Sequence, residues 1–309
     1  MDLYVEREFL DYFDIDFTDR PIQRVVKEII TEYGRKKVFI NYDINDFKVL
    51  DDENRIFALI NNVARPNDID SIEEHLFFNS DFKQTLVFTS QSYDWFKAAE
   101  DKGALCFSFE NYEKKIEEII NQLHFRIDLS EKFNGWNFLQ AYKLLSFNNI
   151  TITDRYILKD NKTINNNLIP ILKHLLLKKN DEIKIGIFAE KFNSLSDNKE
   201  HVKETAKKIY TLLNREFAKT KAQFSVINSN HIFDVDVHDR IILTNFSFLG
   251  CGKGFDFAPN KRSNSEILSE TIFNKYTYKR LNNLNQVQAD YFAMLKRTDA
   301  IKFKMYPEK

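Results

Sequence analysis

Along the first 125 residues, segments with the apolar runs of buried strands alternate with segments that have the apolar spacing of helices. Short apolar runs typical of buried strands occupy residues 3–5, 37–42, 85–89 and 104–109. Between and after them, apolar residues recur at helical spacing over 21–33, 52–62, 93–101 and 112–123. Strands that alternate with helices predict a mostly parallel sheet with helices packed on its faces.

The same alternation returns after residue 145. Strand patterns cover 150–160, 183–188 and 223–227, and helical patterns cover 168–177, 201–217, 263–273 and 285–297. Residues 128–135 are polar and break the pattern. We therefore predict two α/β domains, each a mostly parallel or mixed sheet flanked by helices. The first spans 1–125, a linker with a short helix spans 126–144, and the second spans 145–309 and ends in C-terminal helices.

Composition agrees with two domains of ordinary size, since the chain has 309 residues, 43% hydrophobic and 29% charged. The net charge is -1, which excludes a generic polyanion binder. Charge is nevertheless uneven along the chain. The first ~80 residues hold nearly twice as many acids as bases, and the last ~50 hold about two bases per acid.

Location and membrane association follow from three features. Cys106 and Cys251 are the two cysteines, and both have apolar or glycine-rich neighbours, which predicts reduced thiols in a cytoplasmic protein. No apolar run approaches the ~18 residues of a membrane span. The first residues, MDLYVEREFLDYF, are too acidic for a secretory signal. We expect no stable membrane attachment.

The segment 236–256 has the most distinctive pattern, D-V-H-D-R-I-I-L-T-N-F-S-F-L-G-C-G-K-G-F-D. An apolar strand core separates polar residues from glycines at alternate positions 250, 252 and 254, in a chain with only 7 glycines. Such a loop can bring backbone N–H groups close to a phosphate. We therefore predict phosphate contacts at Arg240, Gly252, Lys253 and Gly254. The alternative is an ordinary amphipathic strand that enters a glycine-rich turn.

The spacing His238-x-Arg240-x4-Asn245 resembles the H-x-K-x4-D signature of the phospholipase D superfamily. The resemblance implies that His238 is the nucleophile, Arg240 clamps the phosphate and Asn245 orients His238. Arg240 keeps the positive charge, whereas Asn245 cannot stabilise a protonated imidazole as a carboxylate does. The half-site therefore suits holding a phosphate better than cleaving one. Active members need two such half-sites, so catalysis at this single copy would require a homodimer.

Acidic residues follow the predicted strands of the first domain, where ligands of parallel sheets collect. The run L-V-F-T-S-Q-S-Y-D-W-F-K-A-A-E-D-K-G-A-L-C-F-S looks like the last strands of a PIN-domain nuclease. This resemblance implies Glu6, Asp43 and Asp94 as ligands of Mg²⁺ or Mn²⁺, although Gln91 stands where another metal-binding Asp is expected. The alternative is that these acids cap helices and line solvated turns.

Both resemblances imply phosphodiester substrates. We expect a nucleic-acid-binding or nucleic-acid-cleaving protein, a divergent phosphodiesterase of the kind found in bacterial antiviral or mobile-element systems. One alternative is an inactive scaffold whose two nuclease-like domains bind a protein partner. Another is recognition of phosphoinositide headgroups near His238, Arg240 and Lys253, against which the lack of an anchor or polybasic segment weighs.

Overall fold

The computed structural model describes residues 1–131, 133–177, 182–190, 192, 199–229, 240–257, 262–297 and 305–307. The chain forms two compact units. Residues 1–122, 145–148 and 272–278 make the first, and residues 123–144, 149–271 and 279–309 make the second. Residues 126–144, predicted as a linker with a short helix, thus belong to the second unit. Among the described residues, no helix has the length and apolar character that a membrane span requires.

The first unit is a parallel sheet covered by helices, as the alternating pattern predicts. Its strands are β1 (Asp2–Glu6), β2 (Lys37–Asn41), β3 (Asn67–Asp68), β4 (Thr85–Thr89) and β5 (Ala104–Ser108). Its helices are α1 (Arg7–Asp16), α2 (Pro21–Thr31), α3 (Phe47–Glu53), α4 (Arg55–Val63), α5 (Ile72–Asn79), α6 (Phe96–Lys102) and α7 (Tyr112–Leu123). The sheet order is β3-β2-β1-β4-β5, and every pairing is parallel.

Burial explains why two strands of the first unit were predicted well, and a helix cap explains why one of its helices was not. Every residue of β4 and β5 is buried, so these strands read as continuous apolar runs. The predicted helix over 52–62 is instead two helices. Asn54 ends α3 and caps α4, because its side chain accepts a hydrogen bond from the Phe57 amide at 2.8 Å.

The second unit is built on a mixed sheet. Its strands are β6 (Phe125–Asp128), β7 (Asn149–Thr153), β8 (Ile183–Ala189), β9 (Ala222–Asn228), β10 (Arg240–Thr244), β11 (Ser247–Cys251), β12 (Glu266–Thr271) and β13 (Met305–Tyr306). Among the described residues the order is β13-β9-β8-β7-β10-β11-β12-β6. β7, β8 and β9 are parallel to one another, and the other pairings are antiparallel.

Helical segments of the second unit occur before, between and after these strands. They are a 3₁₀ helix (Asn137–Leu144), α8 (Asn161–Thr163), a π-helical segment (Ile164–Leu168), α9 (Ile169–Leu175) and α10 (Lys199–Glu216). α11 (Lys275–Arg297) begins in a segment of the first unit and continues into the second. It starts ten residues before the predicted helix 285–297 and ends where that prediction ends.

One predicted helix is wrong. Residues 263–273 contain β12, in which Ile267, Ser269 and Thr271 are buried and their neighbours are more exposed. Two of the three buried positions are thus polar, so hydrophobicity alone does not show the two-residue period of a strand. β6 is missed for a similar reason, since it is an edge strand whose residues are half-buried or exposed.

Two isoleucines in helices of the first unit differ in burial and allow a controlled test of its core. Ile60 on α4 is fully buried, whereas Ile15 on α1 is 84% exposed. We expect Ile60→Ala to lower the free energy of unfolding by about 2–5 kcal/mol, and Ile15→Ala to change it by no more than ~0.5 kcal/mol. Urea unfolding followed by circular dichroism measures both. Similar losses for the two variants would contradict the packing described.

Candidate functional sites at the sheet edges

The register of the second sheet brings Arg240 beside Asp154. Ile241 of β10 pairs with Thr153 of β7 in antiparallel orientation, so the residue before Ile241 lies next to the residue after Thr153. β7, β8 and β9 all end at this edge, and β10 begins there. In α/β sheets this carboxyl edge of the parallel strands is where ligands bind. We call the cluster formed here by Asp154, Arg240 and residues 252–256 the arginine turn.

Asp154 is the centre of the arginine turn. The residue is fully buried, and its Oδ1 accepts hydrogen bonds from the amides of Tyr156 at 2.7 Å and Ile157 at 3.1 Å. Its Oδ2 accepts from the Phe255 amide at 2.6 Å. Burial raises the pKa of Asp154, and these N–H donors together with the charge of Arg240 oppose that rise. The carboxylate therefore joins the end of β7 to the loop after β11.

Gly254 allows this loop to approach Asp154. It adopts a φ of 95°, and a Cβ at this position would lie 2.7 Å from Asp154 Oδ2 and 3.4 Å from Arg240 Cγ. A side chain there would meet both a left-handed backbone and a steric clash. The glycine at this position is thus required by close packing inside the protein.

The backbone amides of the turn have internal partners. Lys253 N–H donates to Ser265 Oγ at 3.2 Å, Gly254 N–H donates to the Cys251 carbonyl at 3.2 Å, and Phe255 N–H donates to Asp154. These three amides therefore already have acceptors inside the protein, and the phosphate contact predicted at Gly252 stays a prediction.

Two basic side chains of the turn can supply a phosphate contact. Arg240 Nη1 donates to the Gly252 carbonyl at 2.8 Å, which holds the guanidinium over the loop. Lys253 is exposed at the tip of the turn. Within the described part of the chain, no carboxylate forms an ion pair with Lys253. The turn thus combines an oriented Arg with an exposed Lys.

The structure separates Asn245 from Arg240. They lie at the two ends of β10, five residues apart, which corresponds to roughly 16 Å at the rise of a strand. Asn245 is buried, and its Oδ1 accepts a hydrogen bond from the Asn149 amide at 3.0 Å. In this position it helps to tie β7 to β10 at the opposite edge of the sheet. His238 lies outside the described residues, so its predicted role as a nucleophile stays a prediction.

Glu6 lies at the end of β1 in the first unit, next to the point where strand order reverses. β2 and β4 flank β1 on its two sides, and this switch point is the usual ligand crevice. Glu6 is 8% exposed. Its Oε2 accepts from Ser90 Oγ at 2.6 Å, and its Oε1 accepts from Tyr93 Oη at 2.6 Å. Side chains of the protein itself therefore satisfy Glu6 in this crevice.

The other acids of this edge also have partners inside the protein or face the solvent. Asp43 is exposed, and its Oδ1 accepts from the Asn45 amide at 2.9 Å, as the capping alternative predicts. Asp94 is exposed at the turn before α6. The Arg7 guanidinium donates to Asp46 at 2.9 Å and brings a positive charge to this edge.

Two carboxylates of this edge already have hydrogen-bond partners inside the protein, and the metal site stays a prediction. Mg²⁺ needs free carboxylate oxygens that converge on one point. Both oxygens of Glu6 already accept hydrogen bonds, and Asp43 Oδ1 accepts from the backbone amide and the side-chain amide of Asn45. Among the described residues, no group of three or more His, Cys, Asp or Glu side chains is placed to hold a metal.

Four residues that shape these sites have no role in the predictions from the sequence. Asp154 appears in the sequence as part of D-R-Y-I-L-K-D, which is similar to D-R-I-I-L-T-N at 239–245, and this similarity is the signal that could have marked it. Asp256 and Lys159 form an ion pair across 97 positions of the chain, and no local pattern marks it. Tyr93 donates a hydrogen bond to Glu6, but the sequence shows it only as the first residue of the predicted helix 93–101.

Comparison with known proteins does not assign this chain to a family. No protein-family model matches it, and no curated protein matches it at a significant level. The resemblances to the phospholipase D superfamily and to PIN-domain nucleases therefore rest on the motifs alone.

A comparison of Gly254 with Gly135 tests the close packing of the arginine turn. Both have left-handed backbones, with φ of 95° and 94°, but a Cβ at Gly135 would meet nothing within 4 Å. Each alanine substitution should cost the ~1–2 kcal/mol of a left-handed side chain. Gly254→Ala should cost more than Gly135→Ala, because its methyl group also displaces Asp154. Equal losses of unfolding free energy in urea would show that the close approach to Asp154 does not matter.

Glu6 and Glu8 allow a similar comparison in the first unit, since Glu8 is exposed on α1. We expect Glu6→Gln to lower the free energy of unfolding by about 1–3 kcal/mol, because the Gln side-chain N–H groups would face the Ser90 and Tyr93 hydroxyls that donate to Glu6. Glu8→Gln should have little effect. Mn²⁺ should leave the thermal midpoint of the wild type unchanged. A midpoint that rises with Mn²⁺ in the wild type but not in Glu6→Gln would instead identify Glu6 as a metal ligand.

Proposed function

We propose that the protein binds the phosphodiester backbone of a nucleic-acid strand at the arginine turn. The observation that carries this proposal is the arrangement of Arg240 and Lys253 on one turn at the carboxyl edge of the second sheet. Arg240 is held by the Gly252 carbonyl and lies beside Asp154, and Lys253 is exposed. Arg binds phosphate oxygens through its planar fork, and Lys acts as a point charge.

The charges around the turn support an anionic ligand. Its three acids already have partners: Asp154 accepts three backbone N–H bonds, Asp160 caps α8, and Asp256 pairs with Lys159. Lys253 is exposed, and it forms no ion pair with a carboxylate in the described part of the chain. Its positive charge is therefore the one that an anionic ligand would meet at the tip of the turn, although the chain as a whole carries -1.

This proposal favours binding over cleavage. The Glu6 oxygens are occupied by Ser90 and Tyr93, and Asn245 lies at the far end of β10 from Arg240. A binding role needs neither a metal nor a second half-site, so it is compatible with one copy of the chain. Protein partners and a homodimer stay predictions, as does the cytoplasmic location.

Salt-dependent binding tests the proposal. Affinity of the full chain for labelled single-stranded DNA and RNA is measured by fluorescence anisotropy at several salt concentrations, with and without EDTA. For the wild type, log K should fall linearly with log salt, and EDTA should have no effect. Lys253→Ala should weaken binding and reduce the slope by about 0.7, the contribution of one phosphate contact on a single strand.

Lys207 provides the control for Lys253, because it is an exposed lysine on α10. Lys207→Ala should keep the affinity and slope of the wild type. Arg240→Lys should weaken binding while retaining the charge, since it removes the fork. Equal effects of Lys253→Ala and Lys207→Ala would place the contact elsewhere, and no binding by the wild type would favour the scaffold alternative.

Cleavage assays with Mn²⁺ on the same oligonucleotides separate binding from catalysis. We expect no cleavage when the strand is fully bound. Any activity that is lost in Asp43→Asn, but kept in His238→Ala, would place chemistry in the first unit. Activity that is lost only in His238→Ala would assign catalysis to the segment before Arg240 and overturn the binding-only proposal.

A further inference from the structure

A cavity of about 230 Å³ lies beside the arginine turn in the second unit. Its walls include Lys159, Thr163, Asn166, Asn167, Asp256 and Phe257. Pockets for drug-sized ligands measure about 300–1,000 Å³. This cavity is smaller, so it suits a group of the size of a sugar better than a whole nucleotide.

The backbone at the cavity has an unusual conformation. Residues Ile164–Leu168 form a π-helical segment between α8 and α9, and this segment carries Asn166 and Asn167. Single π-helical turns inside helices are rare and occur frequently at functional sites. The segment places both amide side chains on the wall of one cavity. Asn167 Oδ1 accepts from Trp136 Nε1 at 3.3 Å, whereas Asn166 is exposed and can donate and accept hydrogen bonds.

The charges of the cavity wall are balanced. Lys159 and Lys162 are matched by Asp160 and Asp256. Asp160 Oδ1 accepts from the Thr163 amide at 2.6 Å, so its negative charge occupies the start of α8. An anion would therefore meet a carboxylate at this helix start, and the cavity favours a neutral ligand that forms hydrogen bonds.

The hydrogen-bonding groups match a sugar hydroxyl. Asp256 Oδ1 accepts from Thr163 Oγ1 at 3.2 Å, and its Oδ2 pairs with Lys159. These two contacts orient the carboxylate and leave it lone pairs for a further donor. Phe257 supplies an apolar surface, with its ring centroid 6.0 Å from that of Trp136. An oriented carboxylate, amides and an aromatic ring together are suited to a ribose.

The cavity is also close enough to the phosphate contact to serve the same nucleotide. Asp256 is two residues after Gly254, so their Cα atoms are at most about 7 Å apart. Gly254 itself packs against Arg240, since a Cβ on Gly254 would lie 3.4 Å from Arg240 Cγ. A strand whose phosphate contacts Arg240 and Lys253 can therefore place its own sugar at Asp256.

We propose that this cavity binds the ribose of an RNA strand and that Asp256 accepts a hydrogen bond from the 2′-hydroxyl. The inference rests on the proposed function, and it selects RNA over DNA as the substrate class. The 2′-hydroxyl is the group by which proteins distinguish RNA from DNA at a given site. A site built to hydrogen-bond a hydroxyl discriminates against the ligand that lacks it, because the protein group is then left unpaired.

The test compares three labelled single strands of identical sequence: RNA, DNA and 2′-O-methyl RNA. Their affinities for the full chain are measured by fluorescence anisotropy. We expect RNA to bind at least about tenfold more tightly than either of the others, the effect of roughly one hydrogen bond to a charged group. The 2′-O-methyl strand retains the sugar shape of RNA and lacks the 2′-hydroxyl donor. Its comparison with RNA therefore tests the hydrogen bond without a protein variant.

Asp256→Ala should bring the ratio of the affinities for RNA and DNA close to one, and Glu216→Ala should keep the ratio of the wild type. Glu216→Ala is the matched control, because Glu216 forms an ion pair with Lys173 at 3.6 Å and does not line the cavity. Equal binding of RNA, DNA and 2′-O-methyl RNA by the wild type would overturn the inference and leave the proposed function intact. No binding of any strand would overturn both.

Discussion

The buried carboxylate of Asp154 is the interaction on which the second unit's site depends. An ionised carboxylate in the protein interior is destabilising by several kcal/mol unless it is paired and hydrogen-bonded. Here the amides of Tyr156, Ile157 and Phe255 provide the hydrogen bonds, and Arg240 provides the opposite charge. These donors come from three places in the chain. One residue thereby fixes the end of β7, the loop after β11 and the start of β10 relative to one another.

The first unit satisfies a similar carboxylate in another way. Glu6 also lies at the end of a parallel strand, but Ser90 and Tyr93 hold it through side-chain hydroxyls. An acidic residue at the end of a strand is therefore not by itself a sign of a metal site. What distinguishes the two edges is the basic group that remains beside each acid. Arg7 is bound to Asp46 at the first edge, whereas exposed Lys253 has no carboxylate partner in the described part of the second edge.

Much of the fold could be predicted because its buried strands are apolar throughout. β4 and β5 are found within one residue of the predicted bounds, since each is buried on both faces. β12 could not be predicted, because three of its six residues are Ser, Thr or Glu with buried or half-buried positions. The site was predicted in part. The sequence marks Gly254 as special, but its packing against Asp154, 100 positions earlier in the chain, depends on the register between β7 and β10.

The same register also bears on how the proposed phosphate contact would work at a site with few net charges. Arg240 is oriented by Gly252 and by the charge of Asp154 before any ligand arrives, so little conformational entropy is lost when a phosphate binds. Asp154 also offsets the charge of Arg240, which weakens long-range attraction. Lys253 compensates for that, because it is exposed and its charge acts through solvent. Under this proposal, Asp154 and Gly252 set the orientation of the Arg240 guanidinium, and exposed Lys253 supplies the long-range attraction. This division of roles requires Arg240 and Lys253 on one turn.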